Sequence, residues 1–252
     1  MGAYLLLAAL GLAVGSFLNV CIHRLPIGES VVRPPSHCPG CARVIRWYEN
    51  VPVVSYLALR ARCRGCGTRI SAIYPLVEVA TAALFVGTYT LFGFGPLLLP
   101  RLLFGCAMIV LLVTDLQHRI LPNVITIPGT LAGFLFSFTA PPGWIDSLIG
   151  VAAGAGILLG IAWTYVRLRH EEGLGMGDVK MLAMIGAFLG WKLMLLTLVL
   201  SSFVGSVIGI SLMASGRGGM KYALPFGTFL AFGALVAAVY GDRLLVWYLG
   251  FY

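Results

Sequence analysis

Long apolar stretches constrain this chain more than any other feature of its sequence. They lie near 2–22, 75–92, 97–114, 124–140, 147–166, 179–190, 193–214 and 222–241. Most are close to the ~20 residues that a helix needs to cross a hydrocarbon layer of ~30 Å. Only 10% of the residues are charged, against about 25% in soluble proteins, so water cannot solvate most of the surface. We therefore predict an all-α, polytopic transmembrane helix bundle of about eight spans, of which the sixth is short.

The positions of the 17 Lys and Arg residues predict how these spans are oriented. Residues 23–73, here called the cysteine segment, carry eight arginines against two glutamates and are therefore expected on the cytoplasmic side. Eight alternating spans place fourteen basic residues on that side and leave Arg101, Lys192 and Arg243 opposite, with both termini outside. The first span has no basic residue before it and no polar cleavage region after it. We therefore expect a membrane span there and not a cleaved signal peptide.

The formal net charge of +8 raises the question of a nucleic-acid partner. Basic loops that face anionic lipid headgroups account for the same charge. We therefore expect membrane lipid, and no nucleic acid, to be the partner of these loops.

The cysteine segment contains two C-x2-C pairs, Cys38 with Cys41 and Cys63 with Cys66, each with a glycine just before its second cysteine. Four thiolates with this spacing can converge tetrahedrally on one Zn2+, and the glycines permit the tight turns around the metal. Four protein ligands leave no open coordination position, so the predicted zinc is structural. Disulfides or free thiols are the alternative, although a cytoplasmic segment is kept reducing and neighbouring arginines favour thiolates.

Two aspartates lie at membrane depth, where ionisable side chains are costly and rare. Asp115 ends the third span on its way into the cytoplasm, and Asp178 begins the sixth on its way out, so both are expected at one depth on one face. Two carboxyls that meet can share a proton, so that one acts as a base toward water and the other as an acid. We predict that this aspartate pair is catalytic. Alternatively, each reaches water beside Arg119 or Lys180, or caps a helix.

Two further titratable residues belong to the same face. Glu78, one turn into the second span, either lines the site or reaches the interface beside Arg69. His118 is close to Asp115 and is expected to be an ordinary interfacial histidine.

Only the cysteine segment is polar enough to be a soluble module. We predict a first span at 1–22, a cytoplasmic, zinc-binding domain at 23–73, and a transmembrane domain with the aspartate pair at 74–252. Small-residue spacings at Gly150-Gly154 and Gly156-Gly160 predict close helix packing in the fifth span. No internal repeat is expected.

Several motifs occur in a characteristic order along nearly the whole chain. They are Gly15 to Val20 with His23-Arg24-Leu25-Pro26, Trp47 to Pro52 with Ser55-Tyr56-Leu57, Tyr74 to Glu78, Asp115 in Asp-Leu-x-x-x-x-Leu-Pro-Asn, Asp178 in Gly-x-Gly-Asp, and Leu224 to Gly227. In this order and spacing they resemble the bacterial type IV prepilin peptidases, GxGD-type intramembrane aspartic peptidases of the cytoplasmic (inner) membrane. That family processes type IV pilins and the pseudopilins of type II secretion.

The resemblance implies a specific activity. Asp115 and Asp178 fall on the two catalytic aspartates of the family, with the active site facing the cytoplasm. The enzyme would cut after the glycine that ends a short basic leader, before a Phe-like residue on an apolar helix. Many members then methylate the new amine with S-adenosyl-L-methionine. The resemblance thus implies that 23–73 is a methyltransferase-associated domain and 74–252 a transmembrane aspartic peptidase domain. No glycine-rich methyltransferase fingerprint is visible, so this second activity rests on the resemblance alone and no residue is assigned to the methyl donor.

Two residues depart from the family pattern. Ile73 stands where an arginine commonly precedes Tyr-Pro, and Thr228 stands where proline often follows Phe-Gly. We expect neither to contact the aspartate pair.

Two other functional classes compete with a peptidase. A proton-coupled transporter would use the same aspartates as a relay, but it favours acids near the middle of the bilayer and broken helices in repeated halves, and neither is apparent. A zinc-stabilised scaffold or receptor gives no reason for two acids at matched depth.

Overall fold

The chain is all-helical in the computed structural model, which describes residues 1–169, 175–215 and 224–250. Within them the only β-structure is two isolated bridges in the cysteine segment. The chain forms two compact units, Met1–Leu98 and Leu99–Tyr252. The first contains α1 (Gly2–Arg24), α2 (Val54–Ala58), α3 (Ile73–Phe92) and 3-10 turns at Leu25–Ile27 and Trp47–Glu49. The second contains α4 (Leu98–His118), α5 (Asn123–Phe136), α6 (Trp144–Arg169), α7 (Met176–Ala214) and α8 (Phe226–Leu249).

Within the described ranges, six helices are long and apolar enough to cross a membrane. They are Gly2–Ile27, Ile73–Phe92, Leu98–His118, Trp144–Arg169, Met176–Ala214 and Phe226–Tyr248. The predicted class, a multi-pass helical membrane protein, is therefore confirmed. All eight predicted segments contain helix, but α5 has only 14 residues, and the predicted spans at 179–190 and 193–214 are the two arms of α7. Residues 222 and 223, at the predicted start of the last span, lie outside the described part, and α8 begins at Phe226.

The 39-residue helix α7 is bent at Gly190, where φ is 78° and ψ is 172°. A straight helix of that length would measure about 58 Å, roughly twice the hydrocarbon thickness. A Cβ on Gly190 would lie 2.8 Å from Cβ of Pro142, so both the backbone conformation and the space require glycine. The indole Nε1 of Trp191 donates to Asp146 Oδ1 at 3.1 Å beside the bend. The sequence analysis divides this stretch into two spans, and the bend lies where the first of them ends.

Small residues set the packing of α1 against α3 in the first unit. A Cβ on Gly11 would lie 2.6 Å from Cα of Ala82, and one on Gly15 would lie 2.6 Å from Cα of Glu78. The two backbones therefore approach more closely than larger side chains allow. At the end of the same pair, Asn19 Nδ2 donates to the carbonyl oxygen of Tyr74 at 3.0 Å.

In the second unit α6 packs against the first arm of α7. Cβ atoms on Gly150 and Gly154 would lie 2.4 Å from the Gly186 carbonyl oxygen and 2.8 Å from the Leu182 carbonyl oxygen. Close packing is therefore confirmed for Gly150-Gly154. It is wrong for Gly156-Gly160, because both glycines are exposed and no atom would come within 4 Å of their added Cβ atoms.

Candidate active site and four-cysteine centre

Four helix ends of the second unit meet around the aspartate pair. Asp115 lies in the last turn of α4 and Asp178 in the first turn of α7. The start of α5 is joined to α7 by Lys180 Nζ, which donates to Asn123 Oδ1 at 2.9 Å. The start of α8 is joined to α4 by hydrogen bonds between Thr228 and Asp115. Helix ends carry backbone groups without intrahelical partners, so this arrangement brings unpaired donors to the two acids.

Asp115 is buried, with 5% of its surface exposed. Its Oδ2 accepts the backbone N–H of Thr228 at 2.6 Å and the Thr228 hydroxyl at 3.0 Å. Gly227 permits this approach, since a Cβ there would lie 3.1 Å from the same carboxylate oxygen. The carboxyl group of Asp115 therefore caps the start of α8 from a different helix.

Asp178 is half-buried and close enough to Asp115 for the two charges to interact. The side chain of Leu121 brings the two chain segments together. A Cβ on Gly177 would lie 3.0 Å from Leu121 Cβ, and one on Gly227 would lie 2.9 Å from Leu121 Cδ1. Gly177 precedes Asp178, and Gly227 lies against Asp115. Because neither has a side chain, Leu121 can pack against both.

The expectation that Thr228 does not contact the aspartate pair is wrong. Thr228 supplies two hydrogen bonds to Asp115 Oδ2, across 113 positions of the sequence. That the Thr228 N–H needs an acceptor outside its own helix could have been predicted from the sequence, because the third residue of a helix carries an unpaired donor. Which acid meets that donor depends on how α4 and α8 pack, which local sequence does not specify. His118 is exposed, as expected of an interfacial residue.

Glu78 is buried, so it does not reach the interface beside Arg69. Its side chain is buried in the first unit and its Oε2 accepts the backbone N–H of Val53 at 2.8 Å. Val53 has φ 59° and ψ −47°, and the following N–H of Val54 donates to the Pro52 carbonyl at 2.5 Å. This is a γ-turn centred on a β-branched residue, which is a strained conformation. Glu78 therefore anchors a strained turn of the cysteine segment to α3.

The four cysteines of the cysteine segment form one cluster. The sulfur atoms of Cys38, Cys41, Cys63 and Cys66 all lie within 4.8 Å of one another, and those of Cys38 and Cys66 are 3.7 Å apart. Four thiolates at ~2.3 Å from a tetrahedral zinc would be separated by about 3.8 Å. The donor set and its size therefore fit Zn2+, and the cluster can hold a metal ion.

The two cysteine pairs are halves of a short internal repeat that the sequence analysis missed. Residues 36–45 and 61–70 make the same hydrogen bonds at positions 25 apart. The matched pairs are Cys38 N–H to the Arg43 carbonyl with Cys63 N–H to the Thr68 carbonyl, and the bridges His37–Val44 with Arg62–Arg69. The common pattern Cys-x-Gly-Cys-x-x-x-Ile was present in the sequence but is short and surrounded by unlike residues.

Hydrogen bonds stabilise thiolates at part of this cluster. The hydroxyl and backbone of Thr68 lower the pKa of the Cys66 thiol to about 6. The backbone N–H of Cys66 lowers the pKa of Cys63. Cys41 differs, because the lowering effect of the Arg43 backbone is outweighed by the neighbouring thiols, first Cys66, and by burial, which raise its pKa to about 11. Crowded thiols therefore share protons, and a cation would displace the remaining ones.

Glu49 joins the two halves of the repeat. Its carboxylate accepts hydrogen bonds from Arg43 Nη2 at 2.7 and 2.8 Å and from the Arg46 N–H at 3.2 Å, and Arg64 Nη1 lies 3.8 Å away. Although burial opposes it, these donors hold the pKa of Glu49 below its usual range. The centre is thus tied to the Trp47–Glu49 turn, whose Trp47 is 84% exposed.

Comparison with known proteins identifies both units. The model of the Bacterial Peptidase A24 N-terminal domain matches residues 9–92, and that of the Type IV leader peptidase family matches residues 102–210. The "Prepilin leader peptidase/N-methyltransferase" of Aeromonas hydrophila is 38% identical over 265 residues, which cover 94% of this chain and 91% of the relative. This chain belongs to the type IV leader peptidase family.

Other relatives of the family carry the same name. The protein of Pseudomonas aeruginosa is 36% identical over 269 residues, covering 96% of this chain and 92% of the relative. That of Myxococcus xanthus is 45% identical over 217 residues, covering 85% of this chain but 65% of the relative. The predicted family and enzyme class, a prepilin peptidase with associated N-methyltransferase, are therefore confirmed. No solved structure matches the chain significantly.

Proposed function

We propose that Asp115 and Asp178 cleave the leader peptides of type IV prepilins and type II secretion pseudopilins at the cytoplasmic face of the bacterial inner membrane. The observation that carries this assignment is the meeting of two carboxyl groups, one buried and one half-buried, at four helix ends of an apolar bundle. An isolated acid that only reaches for water would not need a second acid within electrostatic range. Family membership supports the same reaction, since relatives are named for it.

The chemistry of the proposed substrate suits this location. A prepilin leader is basic and cytoplasmic, whereas the mature protein begins as an apolar helix, so the scissile bond lies at the boundary between water and lipid. Gly175, Gly177 and Gly227 present no side chains beside the acids, which allows a peptide backbone to approach them. The substrate helix would enter laterally from the bilayer.

We assign separate roles to the parts of the chain. Residues 1–22 form the first span, 23–73 the cytoplasmic zinc-binding domain, and 74–252 the membrane peptidase domain. A zinc ion held by Cys38, Cys41, Cys63 and Cys66 would be structural, because a segment of this size buries little core of its own and metal binding supplies folding free energy.

Methyl transfer from S-adenosyl-L-methionine to the new N-terminus is assigned to the cysteine segment. A soluble cofactor is reached more easily by a cytoplasmic segment than by a membrane bundle. The exposed ring of Trp47 packs edge-on to Tyr48 with centroids 5.8 Å apart, which leaves an aromatic face available for stacking on an adenine ring. When bound, the cofactor would supply the methyl group, and these aromatic residues would orient it.

The test of the peptidase assignment uses the purified protein in detergent and a defined prepilin. Asp115→Asn and Asp178→Asn keep the size of each side chain but remove proton exchange, so each should lower the cleavage rate by at least ~10³-fold. The double variant should be little worse than either single one, because residues that act as one unit are non-additive. Asp242→Asn, which changes an exposed acid of the same unit, serves as the matched control. Cleavage that persists in either single variant would overturn the assignment.

A further inference from the structure

The two carboxyl groups of the aspartate pair have unequal surroundings. Asp115 Oδ2 accepts two hydrogen bonds from Thr228, at 2.6 Å from the backbone and 3.0 Å from the hydroxyl. Among the described residues, Asp178 has one polar backbone neighbour, Gly175, whose added Cβ would lie 3.3 Å from Oδ2. Both acids are at least half-buried, so they differ mainly in the number of hydrogen-bond donors that their carboxyl groups meet.

The donors to Asp115 are of the kind that stabilises an anion. Thr228 is the third residue of α8, so its N–H has no intrahelical partner and points out of the positive end of the helix. The hydroxyl adds a second donor to the same oxygen. Hydrogen bonds to an ionised acceptor are about twice as strong as those between neutral groups. Both donors therefore favour the carboxylate form of Asp115 over the acid.

The positive charge of Arg119 acts in the same sense. The guanidinium of Arg119, which follows α4, is within electrostatic range of Asp115. His118 on the same turn is exposed to solvent. On α7 the ammonium of Lys180 donates to Asn123. In the described part of α5 and α8 that packs here, Asn123 and Thr228 are polar but uncharged.

We infer that Thr228 is a positioning residue that holds Asp115 as the ionised member of the pair, so that Asp115 is the general base and Asp178 the general acid. This inference rests on the proposed function. Asp115 takes a proton from water as the water oxygen bonds to the scissile carbonyl carbon, and Asp178 gives its proton to the carbonyl oxygen. The resulting gem-diol then breaks its C–N bond. Asp115 returns its proton to the leaving nitrogen, and Asp178 recovers one from the gem-diol.

The experiment compares pH–rate profiles of Thr228 variants on one prepilin. Cleavage falls at low pH when Asp115 becomes protonated and at high pH when Asp178 loses its proton. Thr228→Val keeps the backbone N–H and the shape but removes the hydroxyl. Its acid limb should move up by about one pH unit, the equivalent of one charge-assisted hydrogen bond, while the alkaline limb stays in place. Thr228→Ser restores a hydroxyl and should restore the limb.

Controls separate this role from a structural one. Thr197→Val removes a buried hydroxyl that donates within α7, to the Leu193 carbonyl, and should move neither limb. Thr228→Ala replaces the valine variant if the latter does not fold. Two results for Thr228→Val would overturn the inference: a lower rate at every pH with both limbs in place, or movement of the alkaline limb alone. Both results are compatible with an inactive Asp115→Asn, so they leave the proposed function intact. Activity of Asp115→Asn would instead overturn the proposed function.

Discussion

At the scale of single residues, two buried acids of this protein accept hydrogen bonds from backbone N–H groups of other segments. Asp115 accepts the N–H of Thr228 and Glu78 accepts that of Val53. Each acid lies on a helix, and each donor belongs to a segment far away in sequence. Such an acid fixes the segment that it bonds, because a buried N–H without a partner costs free energy comparable to a lost hydrogen bond.

Glu78→Ala should destabilise the first unit by about 1–3 kcal/mol, because the N–H of Val53 loses its acceptor and the strained turn loses its anchor. Thermal unfolding in detergent measures this. Val53→Gly removes the strain of a positive φ, so the double variant should lose less than Glu78→Ala alone. If Glu78→Ala left stability unchanged but abolished cleavage, Glu78 would belong to the active site and this account would be wrong.

Residue roles were only partly predictable from the sequence. The nearness of Asp115 and Asp178 was predicted from the order of the apolar stretches, since charges at membrane depth are rare. The bonds to Thr228 and Val53 did not follow, because they join residues 113 and 25 positions apart through tertiary packing. The predicted zinc ligands followed from spacing alone, because both pairs lie in local turns.

At the scale of elements, the arrangement depends on helix length and on short turns. Apolar length predicted the helices, since a bilayer requires ~20 residues per span. It also predicted separate spans at 179–190 and 193–214, and α7 is bent at Gly190 between them. It did not predict the backbone conformation of the bend, because a single glycine is compatible with a helix, a bend or an end. The repeat of residues 36–45 and 61–70 is likewise an element-level feature, and it gives the two cysteine pairs equivalent backbone turns.

That equivalence predicts equal effects of substitution in the two turns. Purified protein should contain about one Zn2+ per chain, and Cys38→Ser and Cys63→Ser should lower the metal content to a similar extent. Limited proteolysis should then cut the cysteine segment first. Cys106→Ser, outside the cluster, is the control for both elemental analysis and proteolysis. Stoichiometric disulfides without metal would show that the centre is not a zinc site.

At the scale of the whole molecule, two compact units coincide with two family models. The unit Met1–Leu98 contains the match at 9–92, and the unit Leu99–Tyr252 contains the match at 102–210. The aspartate pair lies entirely in the second unit, whereas the cysteine centre lies entirely in the first. Each candidate site thus lies within a single unit.

This division predicts that methyl transfer and cleavage are separable. Trp47→Ala removes an exposed ring and should reduce transfer of label from S-adenosyl-L-methionine by about tenfold or more, since stacking is worth ~1–3 kcal/mol. Leader cleavage should persist. Val32→Ala, which removes another exposed apolar side chain of the cysteine segment, is the matched control. Parallel loss of both activities in a folded Trp47→Ala protein would argue for one shared site.

The shortness of α5 has a consequence for the surrounding lipid. Its 14 residues cover about 21 Å, and Val124, Ile127, Leu131 and Leu135 form an exposed apolar stripe along it. Acyl chains against that stripe meet a hydrophobic mismatch of about 9 Å, which a bilayer relieves by thinning. Such thinning would draw lipid headgroups and their water inward beside the start of α5, the same helix end that borders the aspartate pair. Hydrolysis consumes water, and the local thinning of the membrane would deliver it.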